Sequence, residues 1–173
     1  MLALTASSNY EHYFSLNKDS NGTFSPSSIT TSGSNNHVGG NTGSNIYADF
    51  HNHPSGSPPS ARDIITLGGL VGGDPPANPN QVASFTMSPD STMYGLVIVD
   101  KAKYETFWNA NNNAVASNNG WNVNSPIGLK HLEVYTYFEN QPSISAEEAY
   151  ARATAFILKD AGVILVKKGA NSN

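Results

Sequence analysis

The sequence predicts a single α/β domain in which one mixed sheet carries flanking helices, and three observations support that class. Apolar runs of strand length are interspersed with segments of helical periodicity. One run, Met93-Tyr-Gly-Leu-Val-Ile-Val99, is apolar enough for a central strand covered on both faces. Two serines, Ser60 and Ser145, each stand three residues before an acidic residue (Asp63 and Glu148), the spacing of a capping box at a helix start. With 173 residues and 38% hydrophobic content the chain has material for one core, and no internal repeat divides it.

From the amino terminus, Glu11 to Leu16 has the aromatic content of a strand, and Asn17 to Gly22 supplies a turn into a short extended piece at Thr23-Phe24, giving a hairpin. The polar stretch to Asn45, dense in Ser, Asn and Gly, reads as loop. Ile46 to Phe50 reads as a strand that delivers His51 and His53 at its end, where Pro54, Pro58 and Pro59 stop the pairing. Ser60 then opens a short helix with Ile64, Ile65, Leu67 and Leu70 on its apolar side. Beyond Gly72 to Pro76, Ser84 to Met87 and Met93 to Val99 read as strands, and Lys101 to Trp108 as one or two helical turns before the Asn-rich Asn109 to Asn113. Ser145 opens the last helix, with Ala149, Tyr150, Ala153, Phe156 and Ile157 on one stripe and Gly162 as its stop, and Val163 to Val166 is the final strand. Trp108, Trp121 and the Tyr135/Tyr137/Phe138 run read as core or sheet-face residues, and Lys167-Lys168 as a solvated end.

Composition narrows the partners. The formal charge is −4, the only arginines are Arg62 and Arg152, and no basic run exceeds Lys167-Lys168, so a nucleic-acid partner would find little to neutralise it. No apolar stretch approaches the ~18 residues of a membrane span, and Met1 to Ala6 is short and lacks the positive start of a signal peptide. The expectation is a soluble domain with no membrane partner, in a compartment the residues do not fix, and with an oligomeric state equally open. The absence of cysteine removes disulfides and thiolate ligands together, so any metal must be held by imidazole and carboxylate.

Such a donor set stands at His51, His53 and Asp63. Two imidazoles alternate along an extended segment and so face one way, while the carboxylate returns a short loop later at a helix start. Three protein ligands suit one catalytic zinc ion with a fourth position left for water, whose pKa zinc lowers toward ~7. Hydrolysis then needs a group to move protons, and Glu11 is the only glutamate before residue 105. Ser60 can direct its hydroxyl at a developing oxyanion. The same Ser-x-x-Asp spacing also satisfies the N–H groups of a helix start, and both roles can hold at once. His12, His37 and His131 have no ligand partners at suitable spacing and read as surface or partly buried residues.

The set Glu11, His51-Asn-His53-Pro54 and Ser60-Ala-Arg-Asp63 resembles the JAMM/MPN (JAB) metallopeptidases, whose pattern is a distant Glu followed by His-x-His-Pro and Ser-x-x-Asp. The wording Phe50-His-Asn-His-Pro-Ser-Gly56 is most similar to bacterial members, the RadC-like proteins and the JAB-type domains of polymorphic toxins and Rhs-like proteins. The resemblance implies a cytidine-deaminase-like fold and one Zn²⁺ per chain on His51, His53 and Asp63. It also implies Glu11 as general acid/base and Ser60 beside the tetrahedral intermediate. The implied substrate is a protein or peptide, including the isopeptide bonds of ubiquitin-like proteins.

The motif covers Glu11 to Asp63, about a third of the chain. The gap from His53 to Ser60 is one residue shorter than the usual family spacing, which leaves Ser57 as an alternative to Ser60. Only ten residues precede Glu11, so a helix and strand that the family places first are reduced or absent, compatible with a carboxyl-terminal piece of a longer polypeptide. Two other functions compete: a non-catalytic MPN-like binding module, whose members typically lose ligands that this sequence keeps, and a RadC-like DNA-associated role, against which the acidic balance argues.

Overall fold

In the computed structural model, which describes residues 9–31, 33 and 40–169, the order of elements is β1 (His12–Lys18), β2 (Phe24–Pro26), β3 (Thr30–Thr31), β4 (Ile46–Asn52), α1 (Ala61–Gly72), β5 (Ala83–Met87), β6 (Met93–Ile98), α2 (Lys101–Asn111), α3 (Pro126–Glu139), α4 (Ala146–Ile157) and β7 (Val163–Lys168). The seven strands form one mixed sheet in the order β2-β1-β4-β5-β6-β7, with β3 pairing β1. The pairings are antiparallel except β4 with β5, which run parallel with α1 between them. A mixed α/β domain is therefore what the sequence specifies.

Register fixes what each face carries. Tyr13, His51, Thr86, Tyr94 and Lys167 lie opposite one another across β1, β4, β5, β6 and β7, and Ser15, Asp49, Ser84, Leu96 and Leu165 form the next row of the same face. The apolar end of this second row packs into the core with Ala61, Ile64, Leu67 and Val71 of α1, Tyr104 of α2, Leu158 and Val163. One face of the sheet thus changes along its rows from apolar core to polar site. The other face bears a ladder in which Phe14 stacks on Phe50 at 4.6 Å and Phe50 on Phe85 at 4.8 Å between ring centroids. Gly95 stands across from Phe85, where a Cβ would come within 2.8 Å of the ring.

Local chemistry accounts for the helices. Ser60, Asp100, Ser125 and Ser145 each cap a helix start through the side-chain oxygen, satisfying a backbone N–H that has no partner inside the helix. α2 lies close on α1 because Gly68 has no side chain: a Cβ there would meet the Trp108 ring at 2.7 Å. The Tyr104 hydroxyl ties the two helices together by donating to the Ile64 carbonyl at 2.5 Å.

Several expectations are corrected. α3 was not foreseen: Tyr135, Tyr137 and Phe138, read as core or sheet-face residues, lie on this helix, with Tyr137 64% exposed. Strand β1 begins one residue after Glu11 and runs on through Asn17 and Lys18, because these two pair with Ser25 and Phe24 of β2. The stripe of α4 is rotated from the one read in the sequence: Ala149, Ala151, Ala153 and Thr154 are buried, whereas Phe156 is exposed beneath the Lys130 ammonium. The helix beginning at Lys101 continues to Asn111, and Val99 falls just past β6 and is exposed. Lys167 extends β7 and pairs with Glu148 at 2.7 Å. Trp121 is buried as expected. His37 and the stretch Met1 to Ala6 lie outside the described residues.

Candidate metal centre

β4 brings the two histidines to the carboxyl end of a parallel strand, the usual location of ligand sites in open α/β sheets. The extended path continues past its last residue, since the His53 N–H donates to the Met87 carbonyl at 3.0 Å. His51 and His53 therefore project to one side, with ring centroids 5.0 Å apart, and both are buried. The chain then reverses through a turn closed by the Gly56 N–H on the His53 carbonyl at 2.9 Å. Gly56 adopts φ +79°, a conformation that favours glycine. That reversal sets Ser60 at the start of α1 and Asp63 in its first turn.

Asp63 is held in a reciprocal capping box. Its N–H donates to Ser60 Oγ at 3.2 Å, while its Oδ2 accepts from the Ser60 N–H at 2.6 Å and from the Ser60 hydroxyl at 2.8 Å. His51 Nε2 stands 3.6 Å from Asp63 Oδ1, and His53 Nε2 stands 3.5 Å from Oδ2. Donor atoms around a tetrahedral ion with bonds of about 2.0–2.2 Å lie roughly 3.3–3.6 Å apart, and each imidazole nitrogen stands at that distance from one of the two Asp63 oxygens, His51 from Oδ1 and His53 from Oδ2. One donor atom from each of the three residues lies within 4.8 Å of the others, and among the described residues this is the group that could hold a metal ion.

Charge and burial oppose one another here, and the balance differs from residue to residue. Burial pushes the Asp63 carboxyl up, but the two imidazoles and the hydrogen bonds from Ser60 outweigh it and hold the group below the ordinary carboxylate range. For His53 burial wins and lowers the pKa, favouring the neutral ring that binds metals. His51 meets the same burial, yet its contact with Asp49 and the charges of Asp63, Asp49 and Glu11 overcome it and raise its pKa to about 9. Binding a cation at His51 Nε2 therefore means displacing a proton. On its other side that nitrogen has the Thr86 hydroxyl at 3.3 Å.

Glu11 reaches the same place from the position just before β1. Its neighbour two residues on, Tyr13, pairs with His51, and Glu11 shares with His51, His53 and Asp63 the lining of a pocket of about 350 Å³. It is 6% exposed, and burial raises its pKa to about 7, with His51 drawing it down and Asp63 pushing it up. Ser60 and Ser57 line the pocket too. The Ser60 hydroxyl is committed to Asp63, whereas Ser57 meets His53 Nδ1 through its carbonyl at 2.9 Å and its hydroxyl at 3.2 Å. The other two described histidines stand apart: His12 Nδ1 bonds Thr31 Oγ1, and His131 Nε2 bonds Thr154 Oγ1.

Two residues that sequence reasoning passed over support this arrangement. Asn52, fully buried between the two histidines, points the opposite way and holds the backbone on both sides of Glu11. Asp49, one strand repeat before His51, lies behind its ring. The period of two in β4 could have flagged Asp49, but Asn52 acts on partners some forty residues away, which no local pattern reveals.

No family model, curated protein or solved structure matches the chain. The fold and site themselves define its class: a mixed α/β domain with a His-His-Asp group that could bind a metal ion, its two histidines buried and Asp63 partly exposed, and a buried glutamate in the same pocket.

Proposed function

We propose that the protein is a zinc-dependent hydrolase of peptide or isopeptide bonds, of JAMM (JAB) type, with one Zn²⁺ on His51, His53 and Asp63. The observation that carries the reading is the convergence of these donors, one atom from each of His51, His53 and Asp63 within 4.8 Å of the others, with Glu11 in the same pocket. The unit β4-loop-α1-β5, which puts His-x-His-Pro at a strand end and Ser-x-x-Asp at a helix start, supports the finer assignment to a cytidine-deaminase-like fold.

Bound there, zinc supplies Lewis acidity, polarising a carbonyl and making water a better acid. The chain's own residues do the rest. Glu11 accepts the proton of the attacking water and returns it to the leaving amine, and a carboxyl whose pKa lies near neutrality suits both steps. Ser60 orients Asp63 through the capping box; its hydroxyl serves the oxyanion by turning from Asp63 Oδ2, with Ser57 as the alternative donor. The substrate is an extended protein or peptide segment, with a ubiquitin-like protein as the implied partner. The complete donor set favours an enzyme over an MPN-like binding module, and the charge of −4 disfavours a RadC-like role on DNA.

The test is cleavage of a panel of fluorogenic peptide and isopeptide substrates by zinc-loaded protein and its Glu11→Gln variant. Cleavage that falls at least about 100-fold in the variant, with zinc retained, supports the reading. Equal cleavage by both proteins removes Glu11 from the chemistry.

A further inference from the structure

The two imidazoles present Nε2 to the centre and Nδ1 away from it, and what stands behind each ring differs. Behind His53 is a neutral acceptor, the Ser57 backbone carbonyl at 2.9 Å. Behind His51 is a carboxylate: Asp49 Oδ1 lies 3.9 Å from Nδ1. Asp49 is 6% exposed and is fixed from two sides. Ser84, its partner across β5, donates Oγ to Oδ1 at 2.5 Å, and the Gln81 side-chain amide donates to Oδ2. Gln81 is held in turn by Asn78, which is fully buried and donates to Gln81 Oε1 at 2.8 Å. A carboxylate is thus held in the sheet by the neutral donors Ser84 and Gln81, with the His51 imidazole beside it, and the hydrolytic scheme above makes no use of it.

We propose that Asp49 is a positioning residue for the metal centre: it accepts the Nδ1 proton of His51 and so fixes the tautomer that offers an unprotonated Nε2 to the cation. The present separation is an ion-pair distance, and the hydrogen bond forms when ring and carboxylate approach by about 1 Å. A carboxylate behind a ligating imidazole orients the ring and makes the ligating nitrogen more basic, effects worth about 10–100-fold in metal affinity. The inference rests on the metal centre proposed above. It adds an asymmetry to that centre, in which His51 is backed by a charge and His53 by a peptide carbonyl.

The experiment compares zinc affinity, by competition with a chromophoric chelator, for the full chain and its Asp49→Asn and Ser84→Ala variants. Imidazole ¹H–¹⁵N spectra of the zinc-loaded proteins accompany it. Asp49→Asn keeps the shape but removes the charge, and it should weaken zinc binding about 10–100-fold and shift the His51 Nδ1–H resonance while leaving that of His53 in place. Ser84→Ala leaves the carboxylate but frees Oδ1, and a loss of a few-fold is expected. Unchanged affinity and an unchanged His51 resonance in Asp49→Asn overturn the proposal, even if the variant is less stable. Should Asp49→Asn not fold, wild-type zinc affinity and spectrum in Ser84→Ala overturn it. Failure of the unsubstituted protein to bind zinc defeats the metal centre itself, and this proposal with it.

Discussion

The side chain of Asn52 accepts a 2.6 Å hydrogen bond from the backbone N–H of His12, and its amide donates to the Tyr10 carbonyl at 3.3 Å. These two bonds clamp the backbone on either side of Glu11 against the end of β4. The residue between the two histidines therefore sets where the glutamate stands relative to them.

Replacing Asn52 with Ala should separate metal binding from proton transfer. The ligands stay in place while Glu11 loses its anchor, so kcat should fall at least about 10-fold with zinc content unchanged, since small misplacements of a catalytic group are costly. Stability should also fall, by about 1–3 kcal/mol, because the His12 N–H is left buried without a partner. Steady-state kinetics on zinc-replete protein checks the first effect, and a full-strength kcat would show that Glu11 does not depend on the clamp.

Ser60→Ala removes the cap and one of the two hydrogen bonds on Asp63 Oδ2. The expected cost is about 1 kcal/mol of stability, the usual value for losing a helix N-cap. Zinc affinity should weaken as well, because Asp63 loses part of what orients it. Chemical denaturation and chelator competition measure the two effects. Unchanged affinity together with a large loss of kcat would leave Ser60 the oxyanion role alone and remove its part in holding Asp63 for the metal.

His131 gives a pH dependence remote from the candidate metal centre. Its ring is buried against Tyr150, at 4.7 Å between centroids, and burial pulls its pKa from 6.5 to about 4. The unfolded chain therefore binds this proton more readily. Stability is complete above about pH 6.5 and is lost as pH falls toward 4, by up to ~3 kcal/mol at 1.36 kcal/mol per pKa unit. Urea unfolding of the parent and of His131→Gln at pH 7.5 and 4.5 isolates the effect. The parent should lose more stability between the two values than the variant does, and parallel losses would contradict the assignment.

Much of the candidate site was legible because its parts are local. The period of two in β4 aligns His51 with His53, and the capping-box spacing brings Asp63 back within one loop and one helical turn. What escaped detection depends on distant partners. β3 is two residues held by pairing with His12 and Tyr13, and Asn52 matters only through bonds to Tyr10 and His12. α3 hid for a different reason: Leu129, Leu132 and Tyr137 are exposed on it, so its apolar residues do not trace a single buried stripe, and its Ser125-Pro126 start is embedded in a polar stretch. The burial that raises the pKa of Glu11 is likewise a property of the folded pocket.

The most direct measurement is the metal content and zinc affinity of the purified protein set beside its His53→Ala and Glu11→Gln variants. The account predicts about one zinc per chain in the parent and in Glu11→Gln, and loss of high-affinity zinc in His53→Ala. Wild-type zinc retention by His53→Ala, or a parent protein that binds none, would contradict it.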